Sequence, residues 1–262
     1  MKRAFFFDID GTLVNFGQTN PSAATIEALT ELKRQGHYVF IATGRPPVIM
    51  NNIGRLQELE LIDGYVTMNG AYCYVDGRVI YKKPGGIASE EAAHIENHCR
   101  ALNQTCIFVD ERDIFICRPG KFVQEIFYDF LHVTPIQEVE FADIQEREFL
   151  QISPFITVEE EASLLPLIGG CEIGRWHPAF ADITPKGCNK QLGLDVICQH
   201  FGIDPSQTVA FGDGGNDIAM LQHAAIGIAM GQASPQVQAA ANRVTRSVSE
   251  EGVYHALQDF LK

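Results

Sequence analysis

The stretch FFFDIDGTL at 5–13 runs three phenylalanines into two aspartates one residue apart, and then into a glycine. Side chains alternate along extended backbone, so Asp8 and Asp10 can face one site while Ile9 turns aside. Two carboxylates held together repel unless a cation or a shared proton relieves them. Other apolar runs end in compatible groups. YVFIATGR delivers a hydroxyl (Thr43), a free backbone N–H (Gly44) and a guanidinium (Arg45). TVAFGDGGND delivers Asp213, then Gly214, Gly215, Asn216 and Asp217 at a helix start, where glycines and helix N–H groups suit an anion. Lys190 stands at the start of the preceding helix. Oxygen-only ligands select a hard cation, Mg²⁺ being the one that accepts few protein ligands and keeps its waters. Phosphoryl transfer needs little beyond positioning and charge neutralisation. One Asp as nucleophile with the other as acid and base would serve it.

The elements that must position these groups alternate. AFFF (4–7) and YVFIA (38–42) are short continuous apolar runs, as in parallel strands buried on both faces. Between them Asn20-Pro21 is expected to open a helix that Gly36 closes. A helix within RPPVIMNNIGRLQEL, a strand at GYVTMN (64–69) and a hairpin around Asp76-Gly77 follow. Near the other end Asn189 caps a helix through Phe201, TVAFGD (208–213) and IGIAM are strands, and NDIAMLQHA and EEGVYHALQDFLK are helices. Strand and helix repeated this way imply an α/β fold with a doubly wound, mostly parallel sheet, whose ligands sit at the carboxyl ends of the strands.

The middle of the chain has another rhythm. Helices at 89–102, 120–131 and near 159–167 alternate with strands TCIFVD, DIFICR, FLQISPFIT, CEIGRW and FADIT. Consecutive hairpins suggest an antiparallel sheet with helices on one face, so residues 84–184 read as an inserted α+β domain within a core of 1–83 and 185–262. Lys82-Lys83-Pro84-Gly85-Gly86 and Thr184-Pro185-Lys186-Gly187 are the expected linkers.

Composition narrows the possibilities. Of 262 residues, 46% are hydrophobic, and 33 acids against 20 bases give a net charge of −13. That excludes the basic face of a nucleic-acid binder or membrane-surface protein and fits an enzyme acting on small molecules. The seven cysteines form no CxxC pair and read as reduced, mostly buried thiols. The apolar run after MKR is too short for a secretory leader, and no run of about 18 apolar residues occurs. A cytoplasmic enzyme is the expectation, with a monomer as default.

FDIDGTL, ATGR, Asn189-Lys190 and GDGGND, in this order at strand ends, resemble the four motifs of the haloacid dehalogenase-like phosphatases. The inserted middle segment resembles the Cof-type subgroup with a type IIB cap, close to bacterial hexose-phosphate phosphatases. The resemblance implies a Rossmann-like core and a cap that confers specificity. It implies Asp8 as a nucleophile that forms an aspartyl-phosphate and binds Mg²⁺, and Asp10 as acid and base that binds Mg²⁺ through its backbone carbonyl. Thr43 and Lys190 would hold the phosphoryl group. Ile9, Gly44, Arg45 and Asn216 would join them at the substrate, and Asp213 and Asp217 would complete the metal site. A glycine often follows the lysine of the third motif; here Gln191 does, and Lys186 is the rival lysine.

Blander readings stand beside these. Arg45 is either a structural ion-pair partner or a substrate contact, and Asn216 either a helix cap or a ligand. His94 and His98 have metal-like spacing but lie on what reads as a solvated helix face. Trp176 is core of the inserted domain or a wall over the substrate, and Phe122, Phe127, Tyr128 and Phe130 read as packing. Competing functions are a sugar phosphomutase, a phosphate-accepting receiver module and a silent sugar-phosphate sensor.

Overall fold

The computed structural model describes residues 2–130, 132–134 and 136–261. It does not describe the side chains of Phe130 and Trp176, so the expectations about those two lie outside the described residues. The chain opens with β1 (Ala4–Phe7), α1 (Ala23–Arg34), β2 (Tyr38–Ala42), α2 (Gly54–Glu58), β3 (Gly64–Thr67), β4 (Tyr72–Val75) and β5 (Arg78–Lys82). Next come α3 (Ser89–Ala101), β6 (Cys106–Val109), β7 (Ile114–Cys117), α4 (Lys121–Val123), β8 (Gln137–Glu138), α5 (Phe141–Ile144), β9 (Gln151–Pro154), α6 (Val158–Leu164), β10 (Cys171–His177) and β11 (Phe180–Pro185). It ends with α7 (Lys190–Phe201), β12 (Thr208–Gly212), α8 (Ile218–His223), β13 (Ile226–Ala229), α9 (Pro235–Ala240), β14 (Arg243–Val244) and α10 (Gly252–Leu257).

These strands form two sheets. The first has the order β14-β13-β12-β1-β2-β3-β4-β5, parallel from β14 to β3 and antiparallel at the β4 and β5 edge. It is a doubly wound α/β sheet, as the strand–helix alternation predicts. Phe5 and Phe7 pack on one side with α1 and α10, while Phe6 packs on the other with α7 and α8. That two-sided burial is why AFFF shows no polar alternation. Gly193 on α7 lets the helix close on β3, since a Cβ there would lie 2.1 Å from Val66.

The second sheet, β10-β11-β9-β6-β7-β8, is antiparallel except where β8 joins β7 in parallel. One face, carrying Phe108, Phe115 and Ile152, packs on α3 and α6. The other, carrying Ile107, Val109 and Phe180, meets Ile49, Met68 and Tyr72 of the first sheet's body. The chain leaves and re-enters that body at one place, where Lys83 Nζ donates to the Lys186 carbonyl.

Several local expectations need correction. Ser22, not Asn20, caps α1: its hydroxyl accepts from Thr25 N–H. The strand at GYVTMN stops at Thr67 because Met68 and Asn69 are left-handed, with φ of 48° and 50°. RPPVIMNNIGRLQEL holds a 3-10 turn at Pro47–Ile49 and then the short α2. The helix at 120–131 is one α-turn followed by π-helical turns over Gln124–Phe130, with Leu131 outside the described residues. The strand within FLQISPFIT is confined to Gln151–Pro154, and Phe122 is 54% exposed rather than packed. Asn189 caps α7 through Leu192 N–H, as its sequence predicts.

Candidate active site

β1 and β12 are neighbours, and their carboxyl ends bring the acids together. The Asp8 N–H continues the ladder by donating to the Phe211 carbonyl at 3.0 Å, which fixes where its side chain emerges. Lys190, fully buried at the first turn of α7, donates to Asp8 Oδ1 at 2.7 Å and to Asp217 Oδ1 at 2.6 Å. The other oxygen of Asp217 accepts from the Asp213 and Gly214 N–H groups at 2.9 Å each. Lys186, the rival lysine, instead donates to the Gly169 carbonyl. Gly11 has φ of +84°, and a Cβ there would sit 2.2 Å from Asp213 Oδ2, so glycine alone fits beside that acid.

Asp10 faces the same cleft but is held differently. Arg45 grips it at both oxygens, Nε to Oδ2 at 2.6 Å and Nη2 to Oδ1 at 2.8 Å. Asn52, which sequence reasoning missed, adds Nδ2 to Oδ1 at 3.0 Å. Arg45 also donates to the Ile49 carbonyl and to Asn51, so it pairs with Asp10 while lining the cleft. Thr43 is buried, and its hydroxyl accepts from the Arg45 N–H. Thr43, Gly44 and Asn216 line the cleft together with Asp8, Asp10 and Asp213. Asn216 donates to Asn69, whose left-handed backbone turns it toward the site. The side chain of Ile9 lies in the core, leaving only its backbone for a ligand.

Burial dominates the electrostatics. Asp8 is raised well above the usual carboxylate range by desolvation, against the pull of Lys190, with Asp217, Asp213 and Asp10 adding to the rise. Asp213 is pushed up to about 7, chiefly by burial and then by Asp217. Burial pulls Lys190 down, but Asp217 and Asp8 outweigh it, so it stays charged. One ammonium among crowded carboxylates leaves a local excess of negative charge, which a dication would relieve. Carboxylate oxygens of Asp8, Asp213 and Asp217 all lie within 4.8 Å of one another, a donor set that fits a hard cation. The Asp10 carboxylate is not among them, being taken by Arg45 and Asn52. His94 meets only Glu90, at 3.8 Å, and joins no cluster of ligands among the described residues.

Above this floor the second sheet roofs a cleft of about 390 Å³. The roof is mostly apolar, with Ile107, Val109, Phe127 and Phe180, and carries a polar island of Gln151, Ser153 and Asp182. The pairing of β10 is irregular between Gly174 and His177, and the Arg175 guanidinium is held by Glu161 of α6 at 2.7 Å and by the Ile156 and Phe180 carbonyls. Sequence reasoning missed these roof residues. Their signal was polar side chains at alternate positions of apolar strands, a pattern that also describes any solvent-facing strand.

Comparison with known proteins agrees with the motif order and the two-sheet architecture. A profile of the haloacid dehalogenase-like hydrolases matches residues 5–257. A solved subclass IIB sugar phosphatase of that superfamily is 52% identical, covers 99% of each chain and superposes with a TM-score of 0.96. A phosphatase of the superfamily from Bacteroides thetaiotaomicron is 32% identical with a TM-score of 0.84, covering 99% of this chain and 95% of its own. Bacillus subtilis YitU, a 5-amino-6-(5-phospho-D-ribitylamino)uracil phosphatase, is 27% identical over 97% of this chain and 95% of its own. The profile spans nearly all of the sequence, and the chain belongs to the haloacid dehalogenase-like hydrolase family.

Proposed function

We propose that the protein is a Mg²⁺-dependent phosphatase of small phosphorylated metabolites, sugar phosphates foremost, working through an aspartyl-phosphate. The observation that carries this reading is Lys190 bridging Asp8 and Asp217 beside Asp213 at the floor of a roofed cleft. The 52% identity to a sugar phosphatase supports the substrate class. Asp8, Asp213, Asp217 and the Asp10 carbonyl would hold the metal, which supplies positive charge to the phosphoryl oxygens.

A carboxylate oxygen of Asp8 attacks phosphorus. The phosphorus–oxygen bond to the sugar breaks as Asp10 gives its proton to the leaving oxygen. Asp10 then takes a proton from water, whose oxygen attacks the aspartyl-phosphate, releasing inorganic phosphate and restoring Asp8. Arg45 and Asn52 fix the orientation of Asp10 for both transfers. Lys190 and Thr43 would bind the phosphoryl oxygens, and the roof keeps bulk water from the intermediate.

The test is phosphate release from hexose, pentose, triose and nucleoside monophosphates, with Mg²⁺ and with EDTA. The expected result is turnover of sugar phosphates that EDTA abolishes and added Mg²⁺ restores. Turnover indifferent to EDTA removes the metal from the reading. Product returned as an isomeric sugar phosphate, without free phosphate, makes the protein a mutase.

A further inference from the structure

We propose that Gln151, Ser153 and Asp182 form a subsite in the roof of the cleft that reads hydroxyl groups of the leaving group, selecting polyhydroxylated phosphate esters over hydroxyl-free ones. The substrates named rest on the phosphatase reading above; the subsite itself rests on the roof.

Gln151 and Ser153 lie two residues apart on β9 and so share a face, and Asp182 lies beside them on the adjacent strand β11. They are 3%, 3% and 4% exposed, within a face otherwise built of Ile107, Val109, Phe127 and Phe180. Their internal hydrogen bonds converge on one atom. Ser153 Oγ donates to Asp182 Oδ1 at 2.7 Å and Gln151 Nε2 donates to the same oxygen at 3.2 Å. Among the described residues Gln151 Oε1 is buried with no donor, a costly state that native interiors rarely tolerate. Asp182 Oδ2 reaches down toward the phosphate floor, 3.1 Å from where a Cβ on Gly44 would stand.

The roof therefore presents oxygen acceptors to the cleft. A phosphate offers no donor to such a surface and carries the wrong charge. A sugar hydroxyl offers an O–H to Gln151 Oε1 or Asp182. The surrounding aliphatic and aromatic side chains suit the C–H faces of a sugar ring and keep these hydrogen bonds dry, which strengthens them. A site built to bond hydroxyls discriminates against analogues that lack them, because its own polar groups are then left unpaired.

The experiment compares kcat/KM for a hexose 6-phosphate (whichever of glucose, mannose and fructose turns over fastest) with that for phenyl phosphate, in wild type, Gln151→Met, Ser153→Ala and Asp182→Asn. The ratio is expected to fall about tenfold in Gln151→Met and Ser153→Ala and up to about a hundredfold in Asp182→Asn. A ratio within about twofold of wild type in every folded variant overturns the subsite. Calorimetry on Asp8→Asn, alone and combined with Gln151→Met, compares the same hexose 6-phosphate with inorganic phosphate. The sugar is expected to add about tenfold in affinity, lost in the double variant; equal affinities before the second substitution overturn the subsite. Wild type that cleaves neither ester defeats the phosphatase reading, and the calorimetric ratio still decides the subsite.

Discussion

The floor and the roof of the cleft bury polar groups by opposite means. On the floor, the ionisable groups Asp8, Asp217 and Lys190 are interlocked, Lys190 donating to each acid at 2.6–2.7 Å. In the roof, Gln151, Ser153 and Asp182 are set in an apolar sheet face, and one acceptor is left without a donor. A floor that is electrostatically interlocked acts as a single unit, so its residues cannot be changed one at a time without stranding a charge. A roof of hydrogen bonds among uncoupled apolar neighbours can be altered locally. On the proposed reading the floor fixes the chemistry, while the roof is where the range of substrates can vary.

The hardest way to break this contrast is at the proposed nucleophile. Asp8→Asn is expected to lower phosphate release at least about 10³-fold for every substrate alike, measured as kcat at saturating ester. A variant that lost one substrate and kept another would move Asp8 out of the common floor.

Lys190→Met tests the interlocking itself. Removing the ammonium leaves Asp8 and Asp217 buried without their cation, at a cost of about 3–5 kcal/mol in urea unfolding, alongside the loss of activity. Stability within about 1 kcal/mol of wild type would mean that the two acids do not depend on it.

The two faces of the second sheet offer a finer cut. Phe108 is fully buried on the helix-facing side, so Phe108→Leu is expected to cost about 1–2 kcal/mol while the preference among esters stays as in wild type. A shift in that preference would mean that the roof cannot be altered one face at a time.

The smallest effect concerns the thiols on either side of the cleft. Burial pushes Cys73 and Cys198 of the first body, and Cys117 and Cys171 of the second, up to about 12. Their thiolate fraction at pH 8 is negligible, and labelling by a thiol reagent is expected to be near zero in the native protein and complete for all seven cysteines in urea. The sign of the linked stability follows. The folded state holds these protons above pH 9, where the unfolded chain releases them, so stability falls as pH rises from about 9 toward 12.

The same contrast separates what could be read in the sequence. Asp8, Asp10, Thr43 and Asp213 were legible because each stands at or just past the end of an apolar run, and Lys190 because it opens a helix between two such runs. Lys190 over Lys186 followed from its spacing to Asp213, which suits the family, and from Lys186 reading as linker. The roof residues were not legible. Gln151, Ser153 and Asp182 alternate with Ile152 and Ile183, as solvent-facing residues would, and only the approach of the first sheet's body buries them. The π-helical turns that carry Phe127 to the cleft also escaped, because aromatic spacing near 124–130 reads as an α-helix. Asn52 and Asn69 belong to loops, where nothing in periodicity marks a residue that will close on Asp10 or Asn216.

Strand β1 has a consequence for biosynthesis. It lies between β2 and β12, so Ala4 pairs with Tyr38 on one side and with Thr208 on the other. On the ribosome, a strand of three phenylalanines must wait with one edge open while the entire second sheet is made, since β12 follows it in the chain. Such long-range pairing is slow, and an open apolar edge invites association with other nascent chains. Asp8 and Asp213 meet only when β12 docks, so a chain cut short anywhere before β12 carries one acid of the pair and not the other. Activity is therefore expected only once β12 has docked, and products cut short before it are expected to be inert rather than partly active.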